Sequence, residues 1–266
     1  MAVTGFASQV TDAYDATGDA WAAGPARVYD RLADALVARS PVPLAGRTVL
    51  DLGAGTGAAG RALGAAGATV LAVDRSAGML GVDRNATRGR AVVADATALP
   101  VADGAVDGAV AAFSFNHLPD PARGLAEARR ACRPGSPVLA AAYADDDTHP
   151  AKDAVERAIA EAGWRPAPWY RVLRDGVVAQ LATPARMAEA AGRAGLAATT
   201  ARVAVPVPGL APADLVAWRL GMAQVAPFVA TLGPAERARV TARALALLGS
   251  DPPPLVRSVV VLAAVT

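Results

Sequence analysis

The chain has 266 residues, 53% of them hydrophobic and 19% charged, with 26 Lys and Arg against 24 Asp and Glu. That is ample apolar material for a large core, and it excludes a disordered chain, a collagen-like repeat and a small disulfide scaffold. One cysteine, Cys132, and two histidines, His117 and His149, exclude an intramolecular disulfide, a cysteine-based zinc site and a histidine cluster.

In chain order, residues 9–39 read as helical. Val28, Leu32, Leu36 and Val37 recur at helical spacing, and Pro41 and Pro43 close the run. From 48 to 143 five short apolar runs alternate with Ala-rich helical stretches: TVLDL (48–52), TVLAVD (69–74), AVVAD (91–95), GAVAAF (108–113) and PVLAAAY (137–143). That alternation predicts βαβ units and a parallel sheet. Helices are expected over 150–163, 183–195, 212–232 and 234–248, with Thr183 as N-cap and Pro184 in the first helical position. Residues 199–207 and 258–265 read as two more strands, the last apolar on both faces and so interior to the sheet.

Charge is near balance, Lys152 is the only lysine, and aromatics make up 5%. A nucleic-acid binder would show a basic stripe with interleaved aromatics, so none is expected as a partner. The N-terminus lacks a cationic start and an apolar signal core, and the longest uncharged stretch, 220–235, is broken by Gln224, Pro227 and Gly233. A cytoplasmic chain with no membrane partner is the expectation, consistent with the absence of disulfides.

The most informative segment is Val49-Leu50-Asp51-Leu52-Gly53-Ala54-Gly55-Thr56-Gly57. A buried strand runs into glycines that allow a tight turn and close ligand approach, and a helix then begins. Gly55 to Gly60 also satisfies G-x-G-x-x-G, a weak signal that leaves a dinucleotide open. Asp51 argues against that, because its carboxylate would repel a pyrophosphate. It suits a ligand that carries an ammonium and a sulfonium and no phosphate.

VLDLGAGTG resembles motif I of the class I S-adenosyl-L-methionine (SAM)-dependent methyltransferases, of the UbiE-like, type 11 small-molecule kind. Val73-Asp74-Arg75-Ser76 is similar to the family's second-strand end, Ala94 to Pro100 (ADATALP) to its third-strand motif, Asp103 to Asp107 (DGAVD) to the entry to strand four, and Leu125 to Pro137 to the helix and turn before strand five. The resemblance implies a Rossmann-like α/β fold of about seven mostly parallel strands, with helices on both faces and a helical lid. It implies SAM as cofactor and S-adenosyl-L-homocysteine as product. Tyr14, Asp51, Gly53, Ala54, Gly55, Asp74, Arg75, Met79, Asp95, Ala96 and Phe113 are the implied cofactor residues. Within that set, Asp74 would accept from the ribose hydroxyls, Met79 would pack on adenine, and Asp95 would accept from the adenine amino group. Ser76 can cap the next helix.

Residues 113–120 leave the end of strand four beside the expected methyl position. His117 titrates in a range that suits removal of a proton from a hydroxyl or amine, and is the candidate catalytic residue; a histidine that merely shapes the pocket is the alternative. All four tryptophans lie outside 48–143. This aromatic material suggests a lid over a small organic acceptor, with Tyr14, Asn116, His117, Trp169, Tyr170 and Gln224 as candidate acceptor contacts. Met222 and Phe228 could also face the pocket. The rings could equally anchor lid helices. Asp145, Asp146 and Asp147 read as a solvated loop, and no metal site is expected.

The expected organisation is a helical lid over 1–45, a cofactor-binding core over 46–145, a helical insert over 146–182, and the rest of the core with a helical cap over 183–266. The expected activity is methyl transfer to a small-molecule acceptor in bacterial natural-product biosynthesis. The alternative is a SAM-binding protein of the same fold that catalyses a non-methylating reaction such as a cyclisation.

Overall fold

The structure is a computed structural model, and it describes residues 5–82 and 90–266. Residues 1–4 of the expected lid lie outside the described residues.

Five parallel strands form one side of the sheet: β1 (Thr48–Leu52), β2 (Thr69–Asp74), β3 (Ala91–Val93), β4 (Gly108–Ala112) and β5 (Pro137–Tyr143). β6 (Ala198–Pro206) and β7 (Val256–Val265) complete it, and β7 runs antiparallel to both β5 and β6. The order is β3-β2-β1-β4-β5-β7-β6, so the final strand is interior, as its two apolar faces predict. The order reverses between β1 and β4, and the crevice above the carboxyl ends there is where such sheets bind ligands.

The helices are α1 (Phe6–Asp15), α2 (Gly18–Ala23), α3 (Pro25–Val37), α4 (Ala58–Ala65), α5 (Ala77–Leu80), α6 (Pro121–Ala131), α7 (Pro150–Glu161), α8 (Pro168–Val172), α9 (Pro184–Arg193), α10 (Pro212–Leu220), α11 (Ala226–Thr231) and α12 (Pro234–Leu248). Ser76 and Thr183 cap α5 and α9, each hydroxyl accepting a backbone N–H, from Met79 and Arg186 respectively. The single helical run expected over 9–39 is three helices, the last restarting at Pro25 in a first-turn position that has no need of an N–H. The run expected over 212–232 breaks after Leu220. Pro227 lacks the N–H that a continuous helix would direct at the carbonyl of Ala223, and it sits instead in the first turn of α11.

α3 is not a lid helix. Val28, Leu32 and Leu36 are buried in one cluster with Val49, Val110 and Leu139 of the sheet. Of the lid expected over 1–45, α3 packs on the sheet as a core element. The other sheet face is filled by Leu50, Leu52, Leu125, Val138, Met187 and Leu262. Leu32→Ala would leave a cavity against the sheet and should lower unfolding free energy by about 2–5 kcal/mol in urea melts.

Candidate active site

β1 ends at Leu52, and the chain turns at once. Gly53 has φ +70, and a Cβ there would lie 2.2 Å from the Cβ of Ser114, so only glycine fits the turn. The N–H groups of Gly53 and Ala54 donate to the carbonyl of Val73 at 2.7 and 3.1 Å, which fixes the loop against the end of β2. There Asp74 accepts from the Gly55 N–H through one oxygen and from the Ser76 N–H through the other, both at 2.8 Å. Burial raises its pKa, while those N–H groups oppose the shift.

Asp51 sits under this loop, 1% exposed. Neither of its carboxylate oxygens has a hydrogen-bond partner. Burial first, and then the Asp74 charge, push its pKa up to about 7. An unpaired buried carboxylate is costly, and a cationic group entering the cavity would relieve that cost.

A third carboxylate fastens α1 to this region. Asp15, at the end of α1, accepts from the Ser76 hydroxyl at 2.6 Å and from the Gly78 N–H at 2.9 Å. The approach is close enough that a Cβ on Gly78 would lie 2.4 Å from the Asp15 carbonyl oxygen. This places Tyr14 over the cavity, where its hydroxyl meets His117 Nε2 at 3.1 Å and the rings are edge to face.

His117 is carried on the turn after β4. Phe113 begins that turn at φ +59, the one non-glycine residue with positive φ among the described residues. Such a conformation costs on the order of 1–3 kcal/mol and persists only where its surroundings enforce it. Here Phe113 stacks on Tyr143 at 4.7 Å and meets Tyr29 edge to face at 5.6 Å. Burial lowers the His117 pKa to about 4, with hydrogen bonds to the backbone at Ser114 and Phe113 pulling the other way. The ring is thus neutral at physiological pH, able to accept a proton at Nε2.

One cavity gathers most of the candidate residues. Tyr14, Asp51, Gly53, Ala54, Gly55, Asp74, Arg75, Met79, Ala96, Phe113 and His117 all line it. Asp95 stands just behind, between the lining residues Ala94 and Ala96. One Asp95 oxygen accepts from the N–H and hydroxyl of Thr97, and the other lies 3.7 Å from Arg75.

Four expected acceptor contacts do not line this cavity. Asn116 is buried beside it with an unpartnered Oδ1. Trp169 packs with Phe6, Leu173 and Val177, anchoring α1 from outside, and Tyr170 stacks against it. Gln224 offers its carbonyl to the Trp164 indole N–H at 3.1 Å. Met222 and Phe228 are also absent from the lining, each packed among other apolar residues. For Trp169 and Tyr170, anchoring is the reading the geometry favours over acceptor contact. Sequence reasoning missed Tyr29, which lines the cavity from α3. Its adjacency to Val28 on the buried face was the only available signal.

In the loop over 145–147 two carboxylates are solvated as expected and the third is not. Asp145 and Asp146 pair with Arg202, and Asp147 is buried against Arg257. Among the described residues no group of three or more His, Cys, Asp or Glu side chains could hold a metal ion, and no helix is long and apolar enough to cross a membrane.

The sheet order, the glycine loop and the paired strand-end carboxylates define a Rossmann-like class I methyltransferase fold. Residues 50–140 match the methyltransferase domain family. A demethylmenaquinone methyltransferase of Clavibacter sepedonicus is 37% identical over 141 residues, 52% of this chain and 56% of that protein. The chain thus spans about half the length of the curated relatives it matches. Two solved structures share the fold at 20% identity. One is a chain of the Haloferax volcanii complex between the Trm112 methyltransferase activator and a methyltransferase (TM-score 0.54, covering 97% of this chain and 96% of that one). The other is the [4+2]-cyclase SpnF (TM-score 0.52, covering 89% and 81%).

Two outcomes follow from the site geometry. Asp51 favours its protonated form in the folded chain, so its contribution to stability falls as pH rises from about 3.8 to about 7. Asp51→Asn should therefore raise the melting temperature of the ligand-free protein at pH 8 and have little effect at pH 4, as thermal melts across that range would read. Gly78→Ala should lift α1 from the cavity, seen as faster hydrogen exchange at amides 6–15 with the sheet amides unchanged.

Proposed function

We propose that the chain is a SAM-dependent methyltransferase acting on a small-molecule acceptor, with S-adenosyl-L-homocysteine as product. The observation that carries this reading is Asp51, buried and unpaired in the main cavity beside a second carboxylate, Asp74. Asp51 disfavours a pyrophosphate and suits a cationic amino acid part, while Asp74 suits a ribose, which a dinucleotide would also bring. When bound, the cofactor supplies a methyl group already activated by its sulfonium.

The chain's own residues would divide the remaining work. Asp51 takes the ammonium. Asp74, already holding two backbone N–H groups, uses its remaining lone pairs for the ribose hydroxyls. Met79 and Ala96 wall the adenine, and Asp95 turns its second oxygen to the amino group. Tyr14 and Phe113 close the methyl side, and α1 and α2 with the 146–182 insert keep water out. Such positioning contributes several kcal/mol, up to roughly 7–11 at the documented limit. His117 accepts the acceptor's proton at Nε2, the atom that now faces the Tyr14 hydroxyl.

Trp21, Tyr29 and Phe113 form a ring-lined wall that suits an aromatic acceptor. The quinone named in the curated relative is of that kind, and a natural-product acceptor of similar chemistry fits equally well. A non-methylating reaction has only the fold likeness to SpnF in its favour, a likeness shared with methyltransferases.

Incubation with methyl-labelled SAM and a panel of aromatic hydroxyl and amine compounds tests the reading. Label in a product, read by mass spectrometry, is expected; cofactor binding without any transferred label would leave a non-methylating role. His117→Ala should lower turnover by about 10²–10⁴ with cofactor affinity barely changed. In the parent protein turnover at saturating SAM, where the ammonium holds Asp51 ionised, should stay flat through neutral pH and fall only as pH approaches about 4, because burial displaces the histidine ionisation downward. Full activity in His117→Ala would remove that side chain from the reaction.

A further inference from the structure

A second polar cluster lies behind the aromatic wall, on the β5–β7 side of the cavity. Arg257, at the start of β7, places its guanidinium 4.4 Å from the ring centre of Tyr143 and 4.7 Å from that of Trp218. Arg219, next to Trp218 on α10, lies 5.2 Å from the same indole. Tyr143 in turn stacks on Phe113, which lines the cavity. The cluster is therefore one ring removed from the expected methyl position.

Three donors in this cluster are buried and unmatched. The Nε1–H of Trp218 and the Nε–H groups of Arg219 and Arg257 have no hydrogen-bond partner, in residues only 1%, 6% and 6% exposed. Arg257 is neutralised by the buried Asp147. Arg219 is less well served. Its nearest carboxylate is Glu156, at 3.6 Å and one-third exposed, and it makes no hydrogen bond among the described residues. His149, the other ionisable ring at Trp218, accepts from the Ala151 N–H at Nδ1 and donates to the Pro253 carbonyl, as a neutral imidazole does. Lys152 adds to the positive field at Asp147. A buried guanidinium without a hydrogen bond is costly unless something else supplies the oxygens.

The geometry points to a carboxylate on the methyl acceptor, received by Arg219 with Trp218 and Arg257 as neighbouring donors. The inference rests on the methyltransferase reading. The unmatched Trp218, Arg219 and Arg257 groups are donors only, and the Tyr143 hydroxyl, also unmatched, can donate as well, so the complement is an acceptor-only group. The planar fork of a guanidinium matches a carboxylate in two parallel hydrogen bonds. The surrounding rings, Phe113, Tyr143 and Trp218, suit an aromatic body on the same ligand. The Tyr143 ring stands between the cluster and Phe113 of the cavity wall, so the acceptor's carboxylate would reach Arg219 past that ring.

The test is calorimetric, on the full chain saturated with S-adenosyl-L-homocysteine, using 2-naphthoate and its neutral isostere 2-naphthamide. The carboxylate should bind at least tenfold more tightly. Arg219→Met should bring the two within about twofold while leaving S-adenosyl-L-homocysteine affinity unchanged and the melting temperature no lower, since it removes a poorly paired buried charge and the part-exposed Glu156 keeps its water. Trp218→Phe, which keeps the ring and removes one donor, should weaken naphthoate several-fold and naphthamide less. Arg257→Met is a poor probe because it strands Asp147. Equal binding of the two probes, no binding of naphthoate, or full discrimination retained in Arg219→Met would overturn the proposal. Should the homocysteine product itself not bind, the methyltransferase reading fails, and the same probe preference measured on the free protein still decides the cluster.

Discussion

The site depends on one clamp, the Asp74 carboxylate at the end of β2. One oxygen holds the glycine loop through Gly55, and the other starts the next turn through Ser76. Ser76 then caps α5 and donates its hydroxyl to Asp15, which holds α1. α1 carries Tyr14, and Tyr14 meets His117. A single carboxylate thus ties the cofactor loop, α1 and the candidate base into one connected structure. Hydrogen bonds to charged acceptors are worth about 1.5–3 kcal/mol each, enough to hold a short loop in an otherwise costly conformation.

Around that clamp the cavity is electrostatically uneven. Its floor holds the buried Asp51 and the half-buried Asp74. Its far wall is aromatic, and behind that wall, beyond Phe113 and Tyr143, lie Arg257 and Arg219. The polarity is fixed by sheet topology. Asp51 and Asp74 end parallel strands, whereas Arg257 begins the antiparallel β7, so opposite charges meet at the same edge of the sheet.

Much of the fold was legible in the sequence. Period-two and fully apolar runs located all seven strands to within a few residues, because strands buried on both faces leave little room for polar residues. The glycine loop and the strand-end acids were legible too, since tight turns and ligand-facing carboxylates restrict residue type at fixed offsets. The N-terminal helices were only half legible. Helical periodicity marked α3 as apolar on one face without saying whether that face meets a lid partner or the sheet.

What the sequence determined by itself was local: strand, turn and cap chemistry, and a cofactor loop whose residues are neighbours along the chain. Only the tertiary structure decided the rest. It sent Trp169 and Tyr170 to anchor α1 instead of facing the cavity, and it brought Tyr29 in. It set Arg219 and Arg257 about one indole, 38 residues apart in sequence, where no spacing rule would look. It also lowered the His117 pKa, because desolvation depends on what covers a side chain and not on what precedes it. Aromatic and charged side chains can satisfy themselves against many partners, so their composition names the candidates and packing alone chooses among them.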